Sequence, residues 1–205
     1  MTVVPQHPEP TLHLSTVDSG WLLVPALDAD SAHAQEWIDQ SAQELAAAMP
    51  AGWTHDQDQL ARLALYRGLE SRRERDEYMF LVWPAPAPAC VLVHVTLGTL
   101  VDDHPLPGPG DGILYHADGL GYGVQIPVAE EHAEGATLGV QFVFVQGREA
   151  VVVDVEPTAV SLLSLIVNGL HGMVQSLRVT YADGSEFIAD RPQILEAEDN
   201  EQWPV

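Results

Sequence analysis

Histidines are the residues best suited to do chemistry in this chain: His7, His13, His33, His55, His94, His104, His116, His132 and His171. A metal site would bring two of them together at i, i+4 on a helix, alternate them along a strand, or join them to carboxylates. No HxxxH and no HxH occurs. The nearest local clusters, "DDH" (102–104) and "EEHAE" (130–134), lie in loop-like sequence. With 30 Asp and Glu against 8 Lys and Arg, a histidine beside an acid arises by chance. No metal and no cofactor is expected. In "LIVNGLHGMVQSLRV" (165–179), His171 lies off the Leu163–Ile166–Leu170–Val174 line and reads as a satisfied or solvent-edge histidine. His94 alternates with Leu92 and Thr96 on the less apolar face of its strand. It could line a pocket, but a buried, hydrogen-bonded histidine is the better reading.

Nucleophiles fare no better. Cys90 follows Pro88-Ala89 and opens an apolar strand, without the electropositive setting a reactive thiol needs. There is no GxSxG elbow, P-loop, dinucleotide fingerprint or HExxH. "GLGYG" (119–123) precedes a strand rather than a helix, so its glycines serve a turn or bulge. The basic cluster "ARLALYRGLESRRERDE" (61–77) holds five of the eight arginines. On one helix Asp58–Arg62, Arg72–Asp76 and Arg73–Glu77 stand four apart and Glu70–Arg73 three apart, giving ordinary surface pairs. No catalytic residue is assigned. An enzyme, such as a metal-dependent hydrolase, would have to assemble its site from loop residues such as Asp102, His104 and His116.

The elements that must position any site follow from periodicity. "WLLVP" (21–25) reads as a short strand. Helical three-and-four spacing then predicts helices over 29–49 and 56–76, separated by "MPAGW". "YMFLVWP" (78–84) and "CVLVHVTLGTL" (90–100) are strands joined by a rigid "APAPA" connector. "VDDHPLPGPGDG" (101–112) is a loop. Residues 113–128 form a strand pair or a bent strand. "ATLGVQFVFVQGREAVVVDV" (136–155) is a hairpin turning at "QGRE". Ile166, Val167, Leu170, Met173, Val174 and Leu177 mark a helix over 158–177, whose Gly169 and Gly172 are expected where the backbone approaches a sheet closely. "RVTYADGSEFI" (178–188) turns at Asp183-Gly184. Helices and strands are segregated, which argues α+β with an antiparallel sheet flanked by helices. One domain over 20–190 is expected, between a flexible arm (1–19) and an acidic mobile tail (191–205).

The formal charge of −22 repels phosphate backbones and anionic membrane surfaces, so neither nucleic acid nor membrane is an expected partner. The longest apolar runs, 159–167 and 89–101, are too short to span a bilayer. "MTVVPQHPEPTLHL" has no signal-peptide pattern, and a single cysteine allows no intrachain disulfide. A soluble cytoplasmic protein is expected.

The segment "GVQFVFVQGREAVVVDVEP", followed by a helix and "SLRV", resembles a group of uncharacterised actinobacterial proteins over about residues 136–181. More distantly, the layout looks like the Mog1/PsbP-like fold, whose members are mostly binding proteins, adaptors and chaperones. The resemblance bears on architecture rather than activity. Because ordinary catalytic motifs are missing while a two-layer scaffold is well specified, a non-catalytic, chaperone-like binding or adaptor protein acting through protein–protein contacts is expected. The alternatives are the loop-assembled enzyme and a structural or immunity-type component covering a partner's surface. Aromatic residues are favoured at interface centres, which makes Trp83, Tyr115 and Tyr122 the expected partner-binding residues. Trp83 is expected at the surface beside Pro84.

Overall fold

The computed structural model describes residues 10–14, 20–48, 53–84, 89–100, 112–132 and 135–192. In chain order these form β1 (Thr11–His13), β2 (Trp21–Leu23), α1 (Ala32–Ala48), α2 (His55–Ser71), β3 (Asp76–Val82), β4 (Val91–Thr99), β5 (Ile113–Ala117), β6 (Gly121–His132), β7 (Gly135–Gln146), β8 (Glu149–Ala159), α3 (Val160–Ser176) and β9 (Arg178–Thr180). Seven strands make one sheet in the order β2-β3-β4-β8-β7-β6-β5, with every neighbouring pair antiparallel. Helices lie on both faces, so the α+β architecture read from segregated periodicities holds.

The alternation along β3 divides two cores. Phe80 and Val82 point to one face, Met79 and Leu81 to the other. On the second face, α1 buries Ala34, Ile38 and Ala42, and α2 buries Ala61, Leu65 and Leu69. Thr54 and Gln57 form a reciprocal capping box at the start of α2, and Asp56 and Asp58 suit the positive end of its dipole. Gly68 lets α2 come down on β3, since a Cβ there would lie 2.8 Å from Leu81 Cδ1.

The helix expected over 56–76 stops at Ser71. Asp76 explains the stop: its carboxylate accepts the Arg73 N–H at 2.8 Å, and its own N–H donates to the Arg73 carbonyl at 3.0 Å. Such local bonds offer the backbone an alternative to helix. The expected Arg72–Asp76 and Arg73–Glu77 helical ion pairs therefore do not form. Arg72 instead donates to the Val24 and Asp76 carbonyls, and Glu70 pairs with Arg67. The Asp58–Arg62 pair does form, at 2.8 Å.

On the opposite face α3 lays Leu163, Ile166, Leu170, Met173 and Val174 over the inward side chains of β7 and β8, among them Phe142, Phe144, Val151 and Val153. This is the face predicted from spacing, with Val140, Phe142 and Phe144 on one side of the sheet and Leu177 buried at the helix end. β7 and β8 join through a two-residue turn whose Gly147 takes φ +59. One expectation fails: a Cβ on Gly172 would meet nothing within 4 Å, so this glycine faces solvent rather than the sheet.

The arm expected over 1–19 is not loose throughout. Thr11–His13 pairs with β9, Leu12 is buried, and its carbonyl accepts the Tyr78 hydroxyl at 3.1 Å. The apolar side chain at position 12 has an open end of the α3 core to fill, and that burial offsets the cost of ordering a short strand. Beyond Arg191 and Pro192, the tail lies outside the described residues, as does loop 101–111. Among the described residues, no helix is long and apolar enough to cross a membrane.

Candidate functional site

The site lies on the sheet face opposite α3, where the α1–α2 cover ends. Leu92, His94 and Thr96 of β4 point to this face, and Leu92 still packs under the helices. A bulge in β3 between Asp76 and Tyr78 shifts the register so that Asp76 pairs with Thr96 and joins the same face. Its carboxylate lies 2.7 Å from His94 Nδ1 and also accepts from the Thr96 hydroxyl at 3.3 Å. On the other side of β4, Asp154 of β8 stands directly opposite His94. Glu156, two residues on, reaches His94 Nε2 at 2.9 Å. Arg73 closes the group, 2.7 Å from Asp154 and 4.0 Å from Glu156. Gln141 of β7 donates to Asp154 at 3.4 Å.

A second bulge secures Glu156. Leu138 pairs with Thr158 and Val140 with Val155, so Gly139 alone faces both Glu156 and Pro157. A Cβ at 139 would fall 2.4 Å from the Val155 carbonyl oxygen, so only glycine fits. The same irregularity accommodates Pro157, which has no N–H to give to the ladder.

Burial alone would lower the pKa of His94, but the hydrogen bonds to Glu156 and Asp76 outweigh it and hold the pKa above its ordinary value. With a carboxylate at each ring nitrogen, the imidazole has neither nitrogen open to take a substrate proton. Thr96 spends its hydroxyl on Asp76, and neither Ser nor Cys joins the cluster. Among the described residues no group of three or more His, Cys, Asp or Glu could hold a metal ion. An open depression of about 450 Å³, lined by Arg73, Glu74 and Arg75, shares Arg73 with the cluster. Chemically, the arrangement fixes charge and orders three strands.

The residues singled out from the sequence are scattered. Trp83 is 6% exposed, a correction of the surface position expected for it. The chain holds its pairing past Val82, with the Trp83 N–H bonded to the Gly20 carbonyl at 2.9 Å, and the indole packs in the α1–α2 core. Tyr115 is half-buried on the α3 face. Its ring meets Phe142 edge-on at 4.8 Å and stacks on His171, whose Nδ1 lies 2.9 Å from the hydroxyl. Burial raises the Tyr115 pKa and lowers that of His171. Tyr122 is exposed, with the Arg191 guanidinium 4.9 Å above its ring and His116 edge-on at 4.8 Å. His116 stands 4.0 Å from Asp118, while Asp102 and His104 lie outside the described residues. Burial pushes the Cys90 thiol up to about 11, in keeping with an inert cysteine. Sequence reasoning missed Arg73, Asp76, Asp154 and Glu156. One signal was there: in "VVVDVEP" two acids alternate with valines that face the core.

Beyond the polar cluster this face of the sheet is apolar. Val152 pairs with Val143, Val143 with Val124, and Val124 with Leu114, with Ile126 and Val128 further along β6. Val124 is buried at 3% exposure, and the other five are half-buried and lie outside the α3 and α1–α2 clusters. Among the described residues no helix crosses them. Strands β5 to β8 contain no Arg or Lys, but do contain Glu130, Glu131, Glu149, Asp154 and Glu156. No family model matches the chain, and no match to it was found among curated proteins or solved structures.

Proposed function

We propose that the protein is a soluble, cytoplasmic, non-catalytic binding or adaptor protein, and that it engages a partner protein through the sheet face over β5 to β8 opposite α3. The observation that carries this reading is the apolar strip Leu114–Val143–Val152, half-buried side chains around the buried Val124 on a face that no described helix covers. Apolar surface left partly open to solvent is a recurrent feature of interaction sites. The polar cluster beside it supports the non-catalytic part, because its histidine is saturated at both ring nitrogens. The acidity of the chain speaks against nucleic acid as the partner.

The test is capture of partners from the native host by the full chain and by Val143→Arg. Partners retained by the wild type and lost by the variant, at unchanged melting temperature, support the reading. Identical partners on both chains overturn it.

A further inference from the structure

We infer that the outer face of α2 is a self-association surface, on which a second copy of this chain seats its own α2 antiparallel. This surface is separate from the sheet face over β5 to β8 and does not depend on it. Helix α2 carries more leucine than one buried stripe can use. Leu65 and Leu69 enter the α1–α2 core, whereas Leu60 and Leu63 stay 50% and 53% exposed. Exposed apolar residues scattered singly are ordinary. Here two share one face. Among the described residues, no other two of the exposed large apolar side chains stand three or four apart on a helix. Asp56, Leu60, Leu63 and Arg67 follow one another along α2 in steps of four, three and four, the spacing of a helix–helix seam. All four are exposed.

Charge selects the occupant and its direction. Asp56 ends the seam on one side and Arg67 on the other, with the leucines between. A two-fold axis passing between Leu60 and Leu63 sets each leucine on the other leucine of the second copy. The same axis sets Asp56 opposite Arg67 of the second copy, and does so twice. Parallel pairing would instead set acid on acid and arginine on arginine. Both charges are open to this use. Asp56 makes no ion pair among the described residues. Arg67 meets Glu70 through Nη1 alone at 2.9 Å, with 69% of the arginine side chain exposed. Surface pairs of that kind contribute little, and a guanidinium has further N–H donors to offer. The wider field agrees. Residues 55–77 hold five arginines against six acids, while the rest of the chain holds 3 against 24. Two copies meeting at α2 therefore bring little repulsion into contact, although each carries a formal −22. One pair of 17-residue helices buries less than the roughly 1,200 Å² at which stable interfaces begin, so the dimer is weak and reversible.

The test is sedimentation equilibrium of the full chain from about 5 to about 500 μM, at about 0.15 M salt so that charges more than about 8 Å apart are screened. A reversible dimer with a dissociation constant on the order of 100 μM is expected. Leu63→Arg should weaken it about tenfold or more. Leu60→Gln, a milder change on the same seam, should weaken it several-fold. Asp56→Arg and Arg67→Asp each set like charges together, and each should weaken the dimer. The double variant keeps the net charge of the wild type and restores opposite pairs, so its affinity should return to within about threefold of wild type. Melting temperature is checked for every variant, and half-exposed positions should leave it nearly unchanged. A dimer unmoved by both leucine variants puts the interface elsewhere and overturns the location. A double variant no better than the single ones overturns the antiparallel pairing. A chain that stays monomeric throughout overturns the inference outright. If it stays monomeric while a host protein is lost with Leu63→Arg, a different protein is the occupant, and the second copy is excluded. The partner face over β5 to β8 answers separately, to Val143→Arg.

Discussion

The Asp76 carboxylate lies 2.7 Å from Nδ1 of His94 with both side chains out of water, while Nε2 of the same ring faces Glu156 at 2.9 Å. Removing one partner of a buried, hydrogen-bonded pair leaves the other uncompensated and typically costs about 3–5 kcal/mol. His94→Ala and Asp76→Ala should each lose stability of that order in urea melts. The double variant should lose less than the sum by at least about 1 kcal/mol, because the two groups are in contact. Additive losses would mean that the two groups stabilise the fold independently.

Two histidines should act on stability with opposite signs. His94 has a folded pKa above its ordinary 6.5, so its contribution is fully present below that value and is lost as pH rises through the folded pKa. His171 is held below 6.5 by burial, so a penalty grows as pH falls from 6.5 through its folded pKa. Thermal melts between about pH 5 and 8.5 should show both limbs. His94→Gln should flatten the alkaline limb and His171→Gln the acidic one. Swapped effects would reverse the assignment of the two protonation states.

The α3 face was legible because helical and strand periods there agree with burial: Leu163, Ile166, Leu170 and Val174 meet Phe142 and Phe144 as spacing required. His94 was legible as a buried polar residue among apolar neighbours. Its partners were not. Asp76 reaches it through a bulge and from a position whose sequence neighbours continue a helical pattern, and both arise from local bonds between Asp76 and Arg73. Arg73 finds Asp154 across 81 residues of chain, a separation that periodicity does not register. The half-buried strip was hidden for a related reason. In "GVQFVFV" and "AVVVDV" both faces are apolar, so alternation does not say which one a helix covers.

Trp83 tests where the α1–α2 core ends. Its burial predicts that Trp83→Ala costs about 3–5 kcal/mol, with a matching fall in melting temperature. The indole Nε1 is buried and has no acceptor among the described residues. Trp83→Phe removes that unsatisfied donor and most of its penalty while keeping an aromatic ring, so it should cost less than about 1.5 kcal/mol. Chemical denaturation of the two variants gives the comparison. An alanine variant as stable as wild type would return Trp83 to the surface.

Two glycines separate packing from propensity. Gly172 sits inside α3 with open space where a Cβ would be, so Gly172→Ala meets no clash and removes the helix penalty. It should stabilise the protein by about 1 kcal/mol. At Gly123 a Cβ would fall 2.6 Å from both Phe144 Cδ1 and the Val143 carbonyl oxygen. Phe144 is fully buried and the carbonyl belongs to the ladder between β6 and β7, so neither can give way. Gly123→Ala should therefore destabilise by about 1–3 kcal/mol, the usual cost of overpacking a filled core. Parallel urea titrations decide the matter. A loss of stability at position 172 would show α3 making a contact on its outer face, whereas a neutral change at position 123 would mean that β5 and β6 yield where the α3 core needs them firm.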